Sequence, residues 1–107
     1  MSVDIRFEDV SLRGVRVRWG EVGSGPPVVL VHGFLVSHQE WLPMLPALAA
    51  KLRCIVLDLP GFGASEKPPG DQYGYDREAF AETVADLMSA LSLTRAHVVG
   101  HSMGGGV

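Results

Sequence analysis

A serine flanked by glycines lies near the end of the sequence, in the segment Gly100-His101-Ser102-Met103-Gly104. This G-x-S-x-G pattern directly follows the apolar run Ala96-His97-Val98-Val99. A serine hydroxyl stands clear of the end of a sheet only on a tight strand-to-helix turn, and such a turn leaves almost no room for side chains two positions away. Gly100 and Gly104 meet that requirement. The segment therefore predicts a nucleophile elbow, with Ser102 as the nucleophile of a serine hydrolase.

Two further segments would bring chemistry to the same place. His32-Gly33-Phe34 follows the apolar run Val28 to Val31, and a turn-rich loop from Asp58 to Ser65 follows the run Cys54 to Leu57. Ligands in open parallel sheets bind beyond the carboxyl ends of the strands. Because all three segments fall at such ends, the sequence predicts that three loops converge on one site.

An antiparallel strand pair is predicted at the start of the chain. Asp4 to Leu12 and Val15 to Glu21 are rich in alternating apolar and charged residues, and Arg13-Gly14 lies between them as a turn. One face of this pair should be exposed to water.

Parallel strand-helix units are predicted to follow this pair. Val28 to Val31, Cys54 to Leu57 and His97 to Val99 are apolar runs without alternation, which is typical of strands covered on both faces. Between them we expect a helix from Trp41 to Leu52 and a second helix capped by Asp76. The order of elements predicts an α/β fold, with a parallel sheet portion, right-handed crossovers and helices on both faces.

Length and charge exclude several classes of protein. The 107 residues have room for one small domain, assigned here to 1–107, and the net charge of −3 comes with no basic stripe for nucleic acid. No cationic, apolar leader or membrane-length apolar run occurs, so we expect a cytoplasmic location, no membrane partner and a small-molecule substrate.

Cys54 is predicted to be a small buried hydrophobe. Dinucleotide and phosphate-loop motifs and metal-ligand spacings are absent, so no cofactor or metal is expected.

Together the three loop segments resemble the α/β-hydrolase superfamily, and the likeness covers nearly the whole chain. It implies the N-terminal part of a mixed sheet, with five strands present. It also implies that Ser102 attacks a carbonyl, forms an acyl-enzyme and is released by water, while the backbone N–H groups of Met103 and Phe34 form the oxyanion hole. Relatives that open epoxides or remove halide have Asp at the nucleophile position, where this sequence has Ser102. Ester, lipase-like, thioester or carbon–carbon bond hydrolysis is therefore expected.

The rest of the triad is expected beyond Val107, because these hydrolases carry Ser, then Asp or Glu, then His in that order. The four histidines of the sequence all precede Ser102: His32, His38, His97 and His101. We expect a structural role for each, with His32 bracing the oxyanion loop. Asp58 is predicted to bind backbone N–H groups of the glycine turn that follows it. The 107-residue chain alone is expected to be a nearly inactive fragment.

Two alternatives to a conventional hydrolase stay open from the sequence. The chain could be a non-catalytic remnant that binds a small ligand or a partner, or one half of a split hydrolase whose Asp and His come from another polypeptide. In a chain that ends at Val107, the strand His97 to Val99 would form an exposed sheet edge. Weak stability, self-association or pairing with a complementing chain is expected there.

Overall fold

The first two strands are joined by a tight turn that the sequence specifies locally. A computed structural model describes residues 4–33 and 37–101 of the chain, and strands β1 (Arg6–Leu12) and β2 (Val15–Val22) pair in antiparallel register. Arg13 and Gly14 between them have φ angles of 51° and 83°. Positive φ at both central residues is the requirement of the two-residue hairpin turn whose twist matches that of the strands. The predicted hairpin and its turn are confirmed.

Five strands form a single mixed sheet in the order β1-β2-β4-β3-β5. Strands β3 (Pro27–Val31), β4 (Arg53–Leu57) and β5 (His97–Gly100) complete it. Strand β3 is parallel to both β4 and β5, whereas β2 pairs with β4 in antiparallel register. The predicted α/β architecture, an antiparallel pair followed by parallel strand-helix units, is confirmed.

The two central strands are buried on both faces because their alternate side chains enter two different cores. Val29 and Val31 pack with Phe80, Val84 and Leu87 of helix α2 (Arg77–Ala90). On the opposite face, a second cluster contains residues from β3, β4 and the helical segment between them: Val28, Leu30, Cys54, Val56, Trp41 and Leu45. Helices therefore cover both faces of the sheet. Cys54 is fully buried, as predicted.

The first helical segment differs from the predicted continuous helix over Trp41 to Leu52. It begins earlier, as a 3₁₀ helix over His38–Met44 capped by Ser37, and continues as a single α-helical turn, α1 (Leu45–Leu48). Pro43 lies inside the 3₁₀ helix and Pro46 in the first turn of α1. Each proline removes a backbone donor, so a long α-helix cannot form across both positions. Helix α2 instead begins as predicted, with the Asp76 carboxylate accepting the Ala79 N–H at 2.8 Å.

Strand β5 is not buried, so the prediction of a third buried strand is wrong, whereas the exposed sheet edge expected at His97 to Val99 is present in the described residues. Val98 and Val99 are 48% and 45% exposed. Strand β5 pairs with β3 alone and forms the edge of the sheet within the described residues. An apolar run is buried only where neighbouring elements cover it, and an edge strand has a neighbour on one side only.

Among the described residues, none of the helices reaches both the length and the hydropathy of a membrane span.

Candidate functional site

The loops that follow β3 and β4 are joined by a buried histidine. The Nε2 atom of His32 accepts the backbone N–H of Leu59 at 2.9 Å, and its Nδ1 lies 2.8 Å from the carbonyl oxygen of Gly33. Because Nε2 is an acceptor, the proton is on Nδ1, which donates to Gly33. Burial lowers the pKa of His32 below its ordinary value, and the bond to the Gly33 carbonyl opposes that shift only in part. With both nitrogens engaged, His32 braces the loop and is not available as a base.

Asp58 holds together the backbone around the end of β4. Its carboxylate accepts the N–H of Ala64 at 3.0 Å and the N–H of His38 at 2.7 Å. This agrees with the predicted role of bonding the glycine turn. Gly63 has a φ of 54°, and a Cβ atom at that position would overlap the Asp58 carboxyl group. The loop therefore folds tightly around a fully buried carboxylate.

The His38 ring is a third partner of Asp58. Its Nδ1 donates to the same carboxylate at 2.8 Å, while the ring packs edge-on against Phe7 with the ring centres 5.0 Å apart. The sequence predicted a loop histidine with a structural role, and the structure places it at the start of the 3₁₀ helix. The pairing joins the segment after β3 to the end of β4.

Glu40 connects the loop after β3 to the end of β5. One of its carboxylate oxygens accepts the backbone N–H of Gly33 at 2.6 Å, and the other contacts Nδ1 of His101. Strands β3 and β5 bring these groups together, because Val31 lies beside Gly100 in the parallel register and the His101 N–H donates to the Val31 carbonyl at 3.2 Å. The described residues that follow β3, β4 and β5 thus meet at the carboxyl ends of the parallel strands.

The three predicted catalytic residues, Ser102, Met103 and Phe34, lie outside the described residues. Their sequence neighbours Gly33 and His101 are described, and Glu40 bridges them.

Sequence reasoning missed one of the residues that organise this site, Glu40, and it named His38 only as a loop histidine with a structural role. A signal for Glu40 was present, since it is a carboxylate directly before the buried Trp41 in the segment that follows His32-Gly33-Phe34. Among residues 4–33 and 37–101, no group of three or more His, Cys, Asp or Glu side chains is arranged to hold a metal ion.

Comparison with known proteins agrees with this arrangement of strands and loops. A family model described as the alpha/beta hydrolase fold matches residues 26–107. The chain belongs to the α/β-hydrolase fold family. The matched part of this α/β-hydrolase chain extends from β3 through the predicted elbow, so it includes every loop that meets at the site.

Similar proteins include enzymes with different named chemistry. A soluble epoxide hydrolase from Corynebacterium sp. (strain C12) is 39% identical over the whole chain and 36% of its own length. The dihydrolipoyllysine-residue acetyltransferase component of the acetoin cleaving system of Pseudomonas putida is 49% identical over 88% of the chain and 25% of its own length.

A solved structure supports the fold directly. The epoxide hydrolase CorEH superposes with a TM-score of 0.89 at 38% identity, over 95% of this chain and 35% of that one. This α/β-hydrolase chain therefore spans between about a quarter and about a third of the length of these relatives. These relatives include epoxide hydrolases and an acetyltransferase component.

Proposed function

We propose that this chain carries the nucleophile of a serine hydrolase that cleaves carboxylic ester, thioester or carbon–carbon bonds through an acyl-enzyme. Ser102 is the proposed nucleophile. The observation that carries the proposal is the register of β3 and β5, which sets Val31 beside Gly100. That register brings Gly100, the first residue of the predicted elbow, to the same end of the sheet as His32 and Gly33.

The proposed oxyanion hole uses backbone donors from two loops. Met103 follows the nucleophile and Phe34 follows Gly33 in the sequence. Their N–H groups would hold the negative charge that develops on the carbonyl oxygen, an effect for which one donor is typically worth about 10²–10³ in kcat. The bracing of the loop by His32 and Glu40 supports this assignment, because oxyanion donors must be fixed before the reaction.

The chemistry of serine decides between the activities named for the relatives. Attack of a serine hydroxyl on an acyl carbon breaks the bond to the leaving group, which takes up the serine proton through the general base, and gives an ester of Ser102. Water can hydrolyse that ester to release the acid and regenerate Ser102. Attack of the same hydroxyl on an epoxide carbon would give an ether, which water does not hydrolyse under ordinary conditions, so the enzyme could not turn over. Acyl transfer, the chemistry in the name of the Pseudomonas putida relative, is compatible with Ser102.

The general base and the triad acid are proposed to follow Ser102 in the full-length protein, in the order that the family resemblance implies. His32 has both ring nitrogens engaged, and Nδ1 of His101 contacts Glu40. The substrate is proposed to be a small ester-like molecule, with no cofactor.

A second candidate is a chain that works by pairing with another polypeptide or with itself, either as a binding remnant or as half of a split hydrolase. The exposure of Val98 and Val99 on the edge strand β5 favours it. Ester turnover that appears only after a second polypeptide is added would support this candidate over the first.

The test uses the full-length gene product, p-nitrophenyl acetate and a fluorophosphonate probe. We expect the probe to label Ser102, and Ser102→Ala to abolish labelling and lower kcat by at least about a thousandfold, since loss of the nucleophile removes the acyl-enzyme route. Ser89→Ala is the matched control, because Ser89 is an exposed residue of α2 away from the site. Wild-type turnover in Ser102→Ala would refute the assignment.

A further inference from the structure

Glu40 occupies an unusual position between two proposed catalytic segments. It lies in the first turn of the 3₁₀ helix, and its side chain is 18% exposed. The two oxygens of its carboxylate have different partners, the Gly33 N–H at 2.6 Å and the His101 ring. One side chain thus contacts both the loop after β3 and the residue at the end of β5.

Each partner of Glu40 is one residue away from a group with a proposed role. Gly33 directly precedes Phe34, and His101 directly precedes Ser102. A change in the position of Gly33 or His101 is passed to these groups through a single peptide unit, which is planar and stiff. The bridge through Glu40 therefore acts one residue away from both the proposed oxyanion donor and the proposed nucleophile.

We propose that Glu40 is a positioning residue that fixes the His-Gly loop relative to the nucleophile elbow. The proposal rests on the proposed function of Ser102 and Phe34. A misplacement of about 1 Å can cost about 10²-fold in rate, because reacting groups must be held in a near-attack geometry. The oxyanion forms in the transition state rather than in the bound substrate, so the loss should fall on kcat and leave KM nearly unchanged.

Two substitutions separate the two contacts of the Glu40 carboxylate. Glu40→Gln keeps an oxygen that can accept the Gly33 N–H but removes the negative charge beside His101. Glu40→Ala removes both contacts. We expect kcat for p-nitrophenyl acetate to fall by about tenfold in Glu40→Gln and about 10²-fold in Glu40→Ala, with KM within about threefold of the wild-type value.

Glu21 provides a matched control toward the amino ends of the parallel strands, away from the loops of the proposed site. Its side chain is 16% exposed, close to that of Glu40, and it pairs with Arg6 and Arg53. Glu21→Gln removes a comparably buried charge near the amino end of β4, where no catalytic loop lies. We expect kcat to stay within about twofold of wild type. A loss equal to that of Glu40→Gln would mean that any buried carboxylate matters, and it would overturn the proposal.

A double-mutant cycle between Glu40→Ala and His101→Ala tests the bridge itself. If the two residues act as one unit, the double variant should lose no more kcat than the more damaging single variant. Losses that multiply would show that the two residues act independently, and they would overturn the proposal.

Amide hydrogen exchange distinguishes failure of this proposal from failure of the proposed function. In the wild-type protein the Gly33 amide should be protected, and Glu40→Ala should speed its exchange by at least about tenfold, while Glu21→Gln leaves it unchanged. If Ser102 proves not to be the nucleophile but Gly33 loses protection in Glu40→Ala, the bridge holds the two loops and only its catalytic consequence fails. If the Gly33 amide exchanges equally fast in wild type and in Glu40→Ala, the proposal is wrong whether or not Ser102 is the nucleophile.

Discussion

Nε2 of His32 accepts the backbone N–H of Leu59 at a distance of 2.9 Å. This bond joins the carboxyl ends of β3 and β4, and it exists only while Nε2 carries no proton. If Nε2 were protonated, its N–H would face the N–H of Leu59, and two donors would lie together without an acceptor at a fully buried position. The loop after β3 is therefore braced by a neutral histidine.

The stability of the protein should depend on the protonation of His32. Burial lowers the pKa of His32 in the folded state below the value near 6.5 that the unfolded chain retains. Below about pH 6.5 the unfolded state binds a proton that the folded state refuses, so the free energy of unfolding falls as the pH falls. The slope reaches at most about 1.4 kcal/mol per pH unit for one proton, and it ends at the folded-state pKa. Urea unfolding measured at about every half pH unit between roughly pH 4.5 and pH 8 would reveal this slope.

Replacing His32 should remove that part of the slope. His32→Gln is expected to be less stable than wild type by about 1–3 kcal/mol at pH 8, because the bond to Leu59 is weakened or lost. The difference between the two proteins should shrink at low pH. His97→Gln is the control, because it makes the same substitution at an exposed position on β5. Parallel pH profiles for wild type and His32→Gln would contradict the expectation.

The glycine turn after β4 should tolerate no side chain at Gly63. Gly63 combines a φ of 54° with a Cβ position that overlaps the Asp58 carboxyl group. A non-glycine residue in the left-handed region costs about 1–3 kcal/mol, and displacement of Asp58 from its donors adds to this cost. We expect Gly63→Ala to lower the free energy of unfolding by at least about 2 kcal/mol, measured by urea unfolding at neutral pH.

Gly70 is the matched control in the same long loop. No atom lies within 4 Å of a Cβ built there, and its φ is outside the left-handed region. Gly70→Ala should change stability by less than about 0.5 kcal/mol. Equal effects of the two alanine substitutions would show that neither the left-handed backbone of Gly63 nor its contact with Asp58 contributes to stability.

The parts of the fold that the sequence predicted are those with local causes. The turn at Arg13 and Gly14, the continuous apolar run of Val28 to Val31 that is buried on both faces, and the cap at Asp76 each have a signal in a few neighbouring residues. Pattern and turn chemistry act at that range, which is why these elements were predicted correctly.

The parts that were missed depend on residues far apart in the sequence. The predicted burial of Val98 on both faces fails because burial depends on which elements cover β5, and the contacts of Glu40 with Gly33 and His101 follow from the order of strands in the sheet. Neither cause can be found in the neighbouring residues. The two prolines show a different limit, because apolar spacing over Trp41 to Leu52 favoured a helix while Pro43 and Pro46 allowed only a 3₁₀ helix and one α-helical turn.

His38 is expected to stabilise the protein rather than to act in catalysis. Its ring donates to the buried Asp58 carboxylate at 2.8 Å. His38→Ala would remove this bond while the backbone N–H groups of residue 38 and of Ala64 remain as donors. A hydrogen bond to a charged group is worth about 1.5–3 kcal/mol, so we expect a loss of that size in the free energy of unfolding. Turnover of p-nitrophenyl acetate should stay within about tenfold of wild type, because the carboxylate keeps two donors.

His38→Asn separates this role from that of a base. The asparagine amide can donate to Asp58 but cannot take up a proton at neutral pH, so it should recover part of the lost stability and keep full turnover. The opposite result is equally informative, because a carboxylate that orients a histidine is also the geometry of a catalytic pair. If both variants lost about a thousandfold in kcat while unfolding like wild type, His38 and Asp58 would be the base and acid that the proposed function places after Ser102.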